Sequence, residues 1–193
     1  MKLILATNNN GKVREYKEIL LPLGFEVISQ SEAGINIDVE ETGNTFSENA
    51  YLKAKAIYDI THSCVLADDS GLEVKALDGR PGIYSARYAP VGERRKKILA
   101  EMENVPEKDR AARFVCSICL IFENGEKIAV EGYCVGKIGY ESVGDNGFGY
   151  DPIFVYENGK TLAQMTEDEK NSISHRGNAA KKLVEEIKRR NDK

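Results

Sequence analysis

The stretch Cys64-Val65-Leu66-Ala67-Asp68-Asp69-Ser70-Gly71-Leu72 decides the fold and holds the most informative polar residues of the chain. Residues 64–67 have the length and apolar character of a buried strand. Two carboxylates follow, and Ser70-Gly71 predicts a turn. Ligands of α/β proteins bind at the carboxyl ends of strands. Because strand neighbours point to opposite faces, Asp68 and Asp69 are expected to have different roles, one towards a cleft and one in local structure. A polar turn without function is the alternative.

A second polar segment follows the first predicted strand, residues 3–6. Thr7-Asn8-Asn9-Asn10-Gly11-Lys12 leads into a helical pattern that ends at Pro22 and Gly24. A strand, a glycine-containing loop and a helix start together suit phosphate, because exposed N–H groups and the positive end of the helix dipole converge there. The loop matches neither common phosphate-binding motif. An Asn-rich turn that caps the helix is the alternative.

A third polar segment contains Glu40 and Glu41 and precedes a second helix. Thr45 and Glu48 have the spacing of a capping box, which places the start of this helix there and its end near Tyr58. Lys53 lies beside the apolar face of the helix, where it can reach a ligand.

Two Asn-Gly pairs between strand-like runs, at 124–125 and 158–159, predict hairpins. The sheet is therefore expected to be at least partly antiparallel. We predict an α/β fold with a mixed central sheet flanked by helices, formed by residues 1–193 as one domain of two lobes.

Two further segments have the composition of ligand-binding elements. The loop at 143–152 has three glycines that allow close backbone approach, and Phe148 and Tyr150 within it are candidates to contact a ligand. Near the C-terminus, Lys170, His175 and Arg176 supply donors before a last helix that Ser174 is expected to cap. For the loop at 143–152, the alternative is that its aromatic side chains are buried in the core. For the segment before the last helix, the alternative is ordinary surface charge.

Composition limits the classes of function. The formal net charge of −4 and the absence of a Lys/Arg stripe argue against nucleic acid as a partner. No apolar run spans a bilayer and the N-terminus lacks a signal-peptide core, so we expect a soluble cytoplasmic protein without membrane contact. Cys116 and Cys119 lie on a predicted strand, where residues three apart face opposite sides. Buried reduced thiols are therefore expected instead of a metal site.

Together these segments form a consistent site. An anion-binding loop, carboxylates at 40–41 and 68–69, and nearby cations imply phosphates that share a hard divalent cation, normally Mg²⁺. A further carboxylate can deprotonate a water molecule. This chemistry is hydrolysis of a nucleotide phosphoanhydride.

Five motifs, in order and nearly end to end, carry a family resemblance. They are Leu5-Ala6-Thr7-Asn8-Asn9-x-Gly11-Lys12, Glu40-Glu41-Thr42-Gly43 with Phe46-x-Glu48-Asn49-Ala50, Leu66-Ala67-Asp68-Asp69-Ser70-Gly71-Leu72, Gly147-Phe148-Gly149-Tyr150-Asp151-Pro152, and Ser174-His175-Arg176. The chain resembles the inosine/xanthosine triphosphate pyrophosphatase family, whose members remove non-canonical purine nucleotides.

The resemblance implies a homodimer of bilobal subunits with the active site in a cleft. It also implies Mg²⁺-dependent cleavage of ITP, dITP or XTP to the monophosphate and pyrophosphate. Asp69 would act as the general base for the attacking water and, together with Glu40, would bind the metal. The substrate-binding residues would be Thr7, Asn8, Asn9, Asn10, Gly11, Lys12 and Lys53 for the phosphates, Ser70 as a further substrate contact, Phe148, Gly149, Tyr150 and Asp151 around the base, and Lys170, His175 and Arg176 at its edge.

The C6 oxygen of hypoxanthine and xanthine suggests how adenine is rejected. A fixed donor such as Arg176 pairs with that oxygen and is left unpaired against the amino group of adenine. Guanine shares the C6 oxygen, and the sequence does not account for its rejection. Three other classes remain: a Maf-like pyrophosphatase for other nucleotides, a nucleotide sensor without catalysis, and an RNA-binding module.

Overall fold

A computed structural model describes residues 1–191 of the chain. Its strands and helices alternate along the first half of the chain, as expected for an α/β fold. The strands are β1 (Lys2–Leu5), β2 (Glu26–Ser29), β3 (Val65–Val74), β4 (Ala111–Ile121), β5 (Lys127–Ile138) and β6 (Phe154–Val155). The helices are α1 (Asn10–Leu20), α2 (Phe46–Thr61), α3 (Arg94–Glu101), α4 (Glu167–Ile173) and α5 (His175–Asn191).

The six strands form one mixed sheet in the order β2-β1-β3-β4-β5-β6. β1 pairs in parallel with β2 and with the start of β3, where Leu5 lies opposite Leu66. β5 and β6 are antiparallel, with Ile138 opposite Phe154. The predicted fold class, a mixed and partly antiparallel sheet flanked by helices, is confirmed.

The turn predicted at Ser70-Gly71 is wrong, because β3 continues as a strand to Val74. Leu72 and Val74 are fully buried, and the Leu72 N–H donates to Ser85 Oγ at 2.9 Å. Apolar burial beyond Gly71 therefore outweighs the turn preference of Ser-Gly. Asp68 and Asp69 lie within the strand, two and three residues beyond the end of its parallel pairing with β1.

Both predicted Asn-Gly turns are present. Between β4 and β5, the Phe122 N–H donates to Glu126 O at 2.8 Å. After β6, the Tyr156 N–H donates to Lys160 O at 2.9 Å. The predicted strand around Cys116 is β4. Cys116 and Cys119 are buried and free, as expected, and so are Cys64 and Cys134.

Short polar signals set the helix boundaries. Asn9 caps α1, and Thr45 caps α2 by accepting from the Glu48 N–H at 3.1 Å. At α2 the Glu48 side chain accepts from the Asn44 N–H at 2.6 Å and not from Thr45, so only half of the predicted capping box forms. Helix α4 was not predicted, although Thr166 and Glu169 form a complete capping box. Lys170 therefore lies in a helix, not in an irregular segment before α5.

The chain divides into two compact units. The first contains Met1–Asp69, Cys116–Gly132 and the segment from Arg176, and the second contains Ser70–Val115 and Tyr133–His175. The first unit has two cores on opposite faces of its strands. One packs apolar residues of α1 and α5 on Leu3, Leu5 and Leu66, and the other packs α2 on Ile4, Val65 and Ala67.

The second unit has one core, to which β3, β4, β5 and α3 contribute. Arg110 is buried beside it, and its guanidinium donates to the carbonyl oxygens of Met102, Val105, Ile138 and Gly139 at 2.7–3.1 Å. These bonds fix the end of α3 relative to β5. Within residues 1–191, no helix is both long enough and apolar enough to cross a membrane.

Candidate active site

The loop between β1 and α1 is ordered by its own side chains. Asn9 Oδ1 accepts from the N–H groups of Gly11 and Lys12, at 2.9 and 3.2 Å, and Thr7 Oγ1 accepts from the Asn9 N–H at 3.2 Å. Asn8 bonds Gln30 and the carbonyl of Ile37. Asn10 is the first residue of α1 and is exposed. The loop thus presents a helix N-terminus in a fixed conformation, which is the arrangement that binds anions.

Asp68 is the centre of a buried ionic network in the first unit. Lys12 Nζ lies 3.0 Å from its Oδ1, and an Arg176 NH2 lies 3.3 Å from its Oδ2. The other terminal nitrogen of Arg176 pairs with Glu15 Oε2. Burial alone would raise the pKa of Asp68, but Lys12, Arg176 and Lys53 hold it well below its usual range. Asp68 is therefore an ionised anchor that joins α1, β3 and the first turn of α5.

Asp69 lies on the opposite face of β3, with different partners. Asn49 Nδ2 donates to its Oδ2 at 3.1 Å, and Lys53 Nζ lies 3.5 Å from its Oδ1. Lys53 also lies 2.6 Å from Glu41 Oε1. Burial raises the pKa of Asp69 and outweighs the opposing effect of Lys53, whereas the carboxylates around Lys53 raise the pKa of that lysine. The site thus combines a persistent ammonium with a carboxyl group of increased basicity.

The residues around Asp69 fit a hard cation that is held in part by a ligand. The Lys53 ammonium already bridges Asp69 and Glu41, so these carboxylates attract positive charge. Among residues 1–191, no group of three or more His, Cys, Asp or Glu residues has the arrangement of a metal site. Mg²⁺ typically uses one or two carboxylates together with waters and substrate phosphates, so two carboxylates suffice. Glu41 makes the contact beside Asp69, while Glu40 is exposed.

In the second unit, the glycine–aromatic loop is built on Asp151. Its Oδ2 accepts from the Phe148 N–H at 2.8 Å and pairs with Lys170 Nζ at 2.7 Å. The Lys170 ammonium lies 4.8 Å from the centroid of the Phe148 ring. A Cβ on Gly147 would lie 2.2 Å from Asp151 Oδ2, so only glycine fits this position. The loop presents a half-buried aromatic ring beside a buried cation.

The other predicted site residues have mixed surroundings. Ser70 is partly exposed on β3, and Gly149 is exposed with φ +62°. Tyr150 is buried, donates to Ser85 O at 2.8 Å, and has its pKa raised to about 12 by burial. His175 is buried and stacks on Phe114, with ring centroids 4.7 Å apart. These surroundings give Tyr150 and His175 structural contacts in addition to any contact with a ligand.

The first unit thus brings together the 7–12 loop, Lys53, Asp69 and Arg176, and the second brings together Phe148, Asp151 and Lys170. Glu15 and Asn49, which hold Arg176 and Asp69, were not among the predicted site residues, although Asn49 belongs to the second family motif. Both lie on the buried faces of their helices: Glu15 is four residues before Ile19, and Asn49 is three after Phe46. A polar residue at an apolar helix position was the available signal.

The fold and these two groups of residues define an α/β protein with a strand-to-helix anion loop, buried carboxylates and an aromatic loop beside a lysine. The chain belongs to the Ham1 family, whose model matches residues 3–186. It is 48% identical over 187 residues to a dITP/XTP pyrophosphatase of Bacillus subtilis, covering 93% of each chain.

Two solved structures have the same fold. A HAM1 protein from Coxiella burnetii has a TM-score of 0.86 and 40% identity, with 98% of this chain and 99% of that chain covered. The Staphylococcus aureus Ham1 protein has a TM-score of 0.84 and 42% identity, with 97% and 98% covered.

Proposed function

We propose that this chain hydrolyses non-canonical purine nucleoside triphosphates, namely dITP, ITP and XTP, to the monophosphate and pyrophosphate. That it is a nucleoside-triphosphate pyrophosphatase rests on its similarity, over nearly the whole chain, to relatives named dITP/XTP pyrophosphatase. The observation that carries the proposal is the pair of adjacent aspartates on β3. Asp68 is held ionised by two cations, whereas burial raises the pKa of Asp69 beside Lys53.

Asp69 is the proposed general base. A carboxyl group whose pKa is raised towards the working pH accepts a proton from water more effectively than an ordinary one. Asn49 fixes one oxygen of Asp69 and leaves the other towards Lys53. The base is thereby oriented before substrate arrives.

The phosphates are assigned to Thr7, Asn8, Asn9, Asn10, Gly11, Lys12 and Lys53. The positive end of the α1 dipole and the two ammonium groups attract the phosphate charge, and the ammonium groups supply donors. Ser70 is a further substrate contact. Asp69, with Glu40 or Glu41, would hold Mg²⁺, and the ion would neutralise charge on the phosphate oxygens.

The purine base of the substrate is assigned mainly to the glycine–aromatic loop and the residues beside it. Phe148 supplies a stacking face, Gly149, Tyr150 and Asp151 frame the base, and Lys170 and His175 reach its edge. Arg176 is proposed to donate to the C6 oxygen, and its ion pairs with Glu15 and Asp68 fix the direction of its donors. A fixed donor discriminates strongly, because it cannot turn away from the amino group of adenine. The working form is proposed to be a homodimer in the cytoplasm.

A product assay tests the proposal. The protein is incubated with ITP, dITP, XTP, ATP and GTP, with and without Mg²⁺, and pyrophosphate and orthophosphate are measured separately. We expect Mg²⁺-dependent pyrophosphate from the first three substrates, and a loss of about 10²–10⁴-fold in Asp69→Asn. The matched control is Asp59→Asn, an exposed aspartate on α2 paired with Lys55, which is expected to retain activity.

Other outcomes would overturn parts of the proposal. Orthophosphate in place of pyrophosphate means attack at the terminal phosphate. ITP binding without any product favours a nucleotide sensor.

A further inference from the structure

A cavity of about 450 Å³ in the second unit is lined in part by residues that the function proposed above does not use. One wall is the loop from Gly144 to Gly149, together with Pro152, and the other is the turn at Val91-Gly92 with Arg94 and Arg95 of α3. The volume is within the range of small-molecule sites. Phe148, the proposed stacking residue, belongs to this lining, so the cavity adjoins the proposed position of the base.

The α3 wall has an unusual charge pattern. The helix begins with four cations, residues 94–97, and has no acidic residue in its first turn, although the helix dipole disfavours cations there. Lys96 pairs with Glu93 and Lys97 donates to Tyr88 O. Arg94 Nε donates to Ala89 O at 3.3 Å.

Arg95 differs from these three neighbours. It is partly buried and lines the cavity, and its guanidinium makes no hydrogen bond or ion pair with another residue in the described range 1–191. Departures from local rules of this kind occur mainly at functional sites. The guanidinium donors of Arg95, and the terminal nitrogens of Arg94, are therefore available to a molecule in the cavity.

The opposite wall is held in place by close packing. A Cβ on Gly144 would lie 2.4 Å from Ala163 O, and the Gly147 position is filled by Asp151. At the other end of α3, Arg110 fixes the Met102 carbonyl at 2.7 Å. Both walls are thus anchored by contacts outside the cavity.

The chemistry of the lining favours a base over a phosphate. Two arginines supply donors, Asp145 supplies an acceptor, and Phe148 supplies an aromatic face. A carboxylate repels phosphate, whereas a lactam, which has a carbonyl next to an N–H, pairs with a donor and an acceptor together. Xanthine has such a group at C2, guanine has an amino group there, and hypoxanthine has only hydrogen.

We propose that Arg94 and Arg95 form a subsite for the C2 substituent that favours xanthine over guanine. The proposal rests on the proposed function. It accounts for discrimination between xanthine and guanine, which the C6 oxygen cannot provide because both bases have it. The arginines donate to the C2 oxygen of xanthine and are left opposite the donor amino group of guanine. A recognition site whose donors stay unpaired rejects the wrong ligand strongly.

Binding of the monophosphates XMP, IMP and GMP, measured by isothermal titration calorimetry, tests the subsite without turnover. The wild type is expected to bind XMP more tightly than GMP. Arg95→Ala and Arg94→Ala are each expected to lower the affinity for XMP by about tenfold and to change the affinity for IMP by no more than about twofold. Only XMP has a C2 oxygen, so only XMP loses a hydrogen bond to a charged donor. Arg95→Lys keeps the charge without the planar fork and is expected to lose XMP affinity by an intermediate amount.

Lys96→Ala is the matched control, because this exposed neighbour pairs with Glu93 and lies outside the cavity. Thermal unfolding of each variant checks that its fold is intact. An unchanged XMP-to-GMP ratio in both arginine variants would overturn the subsite, as would equal weakening of all three ligands, which indicates attraction to the phosphate alone. Failure of the proposed function is read separately, as an absence of pyrophosphate from XTP in the wild type.

Discussion

At the scale of single residues, Asp68 and Asp69 show how one peptide bond separates two environments. Strand alternation directs Asp68 towards Arg176 and Lys12, and Asp69 towards Asn49 and Lys53. The same burial that raises the pKa of Asp69 is outweighed at Asp68 by cations. Asp68, with a lowered pKa, can serve as the structural anchor, while Asp69, with a raised pKa, can serve in proton transfer.

Asp68→Asn is expected to cost stability. The substitution leaves the buried Arg176 and Lys12 without their shared carboxylate, and breaking a buried ion pair costs about 3–5 kcal/mol. Asp69→Asn is expected to cost about 1 kcal/mol or less, because burial already disfavours its charged form. Urea unfolding of the two variants measures this difference, and equal losses of stability would contradict it.

The pH dependence of the Asp68 contribution follows from its lowered pKa. A carboxyl group with a lower pKa in the folded than in the unfolded state stabilises the fold above its unfolded pKa, about 3.9. The stability difference between wild type and Asp68→Asn is therefore expected to be constant between about pH 6 and 8. It should shrink as the pH falls below about 4.

Residue-scale features were partly predictable from the sequence. Alternation along a strand is local, so the opposite directions of Asp68 and Asp69 follow from the sequence alone. The Arg176 partners Glu15 and Asp68 lie 161 and 108 residues away along the chain, and no local pattern encodes such pairs. For the same reason, the contact of Lys53 with Glu41, and the exposure of Glu40, became visible only in the structure.

At the scale of elements, the loop at 147–151 allows a matched glycine comparison. Gly147 and Gly149 both have positive φ, but only a Cβ at 147 collides with Asp151. Gly149→Ala is expected to cost only backbone strain, about 1–2 kcal/mol. Gly147→Ala is expected in addition to displace Asp151 from Lys170 and the Phe148 N–H.

Nucleotide binding separates the two glycine variants. If the loop contacts the purine base, Gly147→Ala is expected to lower the affinity for IMP at least tenfold more than Gly149→Ala does. The reason is that Gly147→Ala breaks the two hydrogen bonds of Asp151 that hold the loop. Calorimetry at a temperature where both variants are folded measures this. Equal affinities would contradict the role of Asp151 in holding the loop.

Elements with strong local signals were predicted well. The cap at Thr45 and the turns at the Asn-Gly pairs depend on neighbours in sequence, and each lies where the pattern places it. An Asn-rich turn that caps α1 was the alternative interpretation of residues 7–12, and Asn9 forms that cap. The extension of β3 through Ser70-Gly71 was not predicted, since it is stabilised by burial of Leu72 and Val74 in the second core. Tertiary burial outweighs turn propensity there.

At the scale of the whole molecule, two compact units share three strands. β3, β4 and β5 each have residues in both units, so each core is built on strands that continue into the other unit. Leu66 is buried in a core of the first unit and Leu72 in the core of the second, six residues apart on β3. Continuous strands favour cooperative loss of structure, because fraying one end of a strand removes ladder bonds from the other.

Leu66→Ala and Leu72→Ala are therefore expected to destabilise the same unfolding transition. Each removes a fully buried side chain, at a cost of about 2–5 kcal/mol. In hydrogen exchange followed by mass spectrometry, each variant is expected to speed exchange of the slowest amides in both units. The exposed Val135→Ala on β5 serves as the control and should change stability by about 0.5 kcal/mol or less. Faster exchange confined to the mutated unit would show that the shared strands do not couple the cores, and each unit would then unfold on its own.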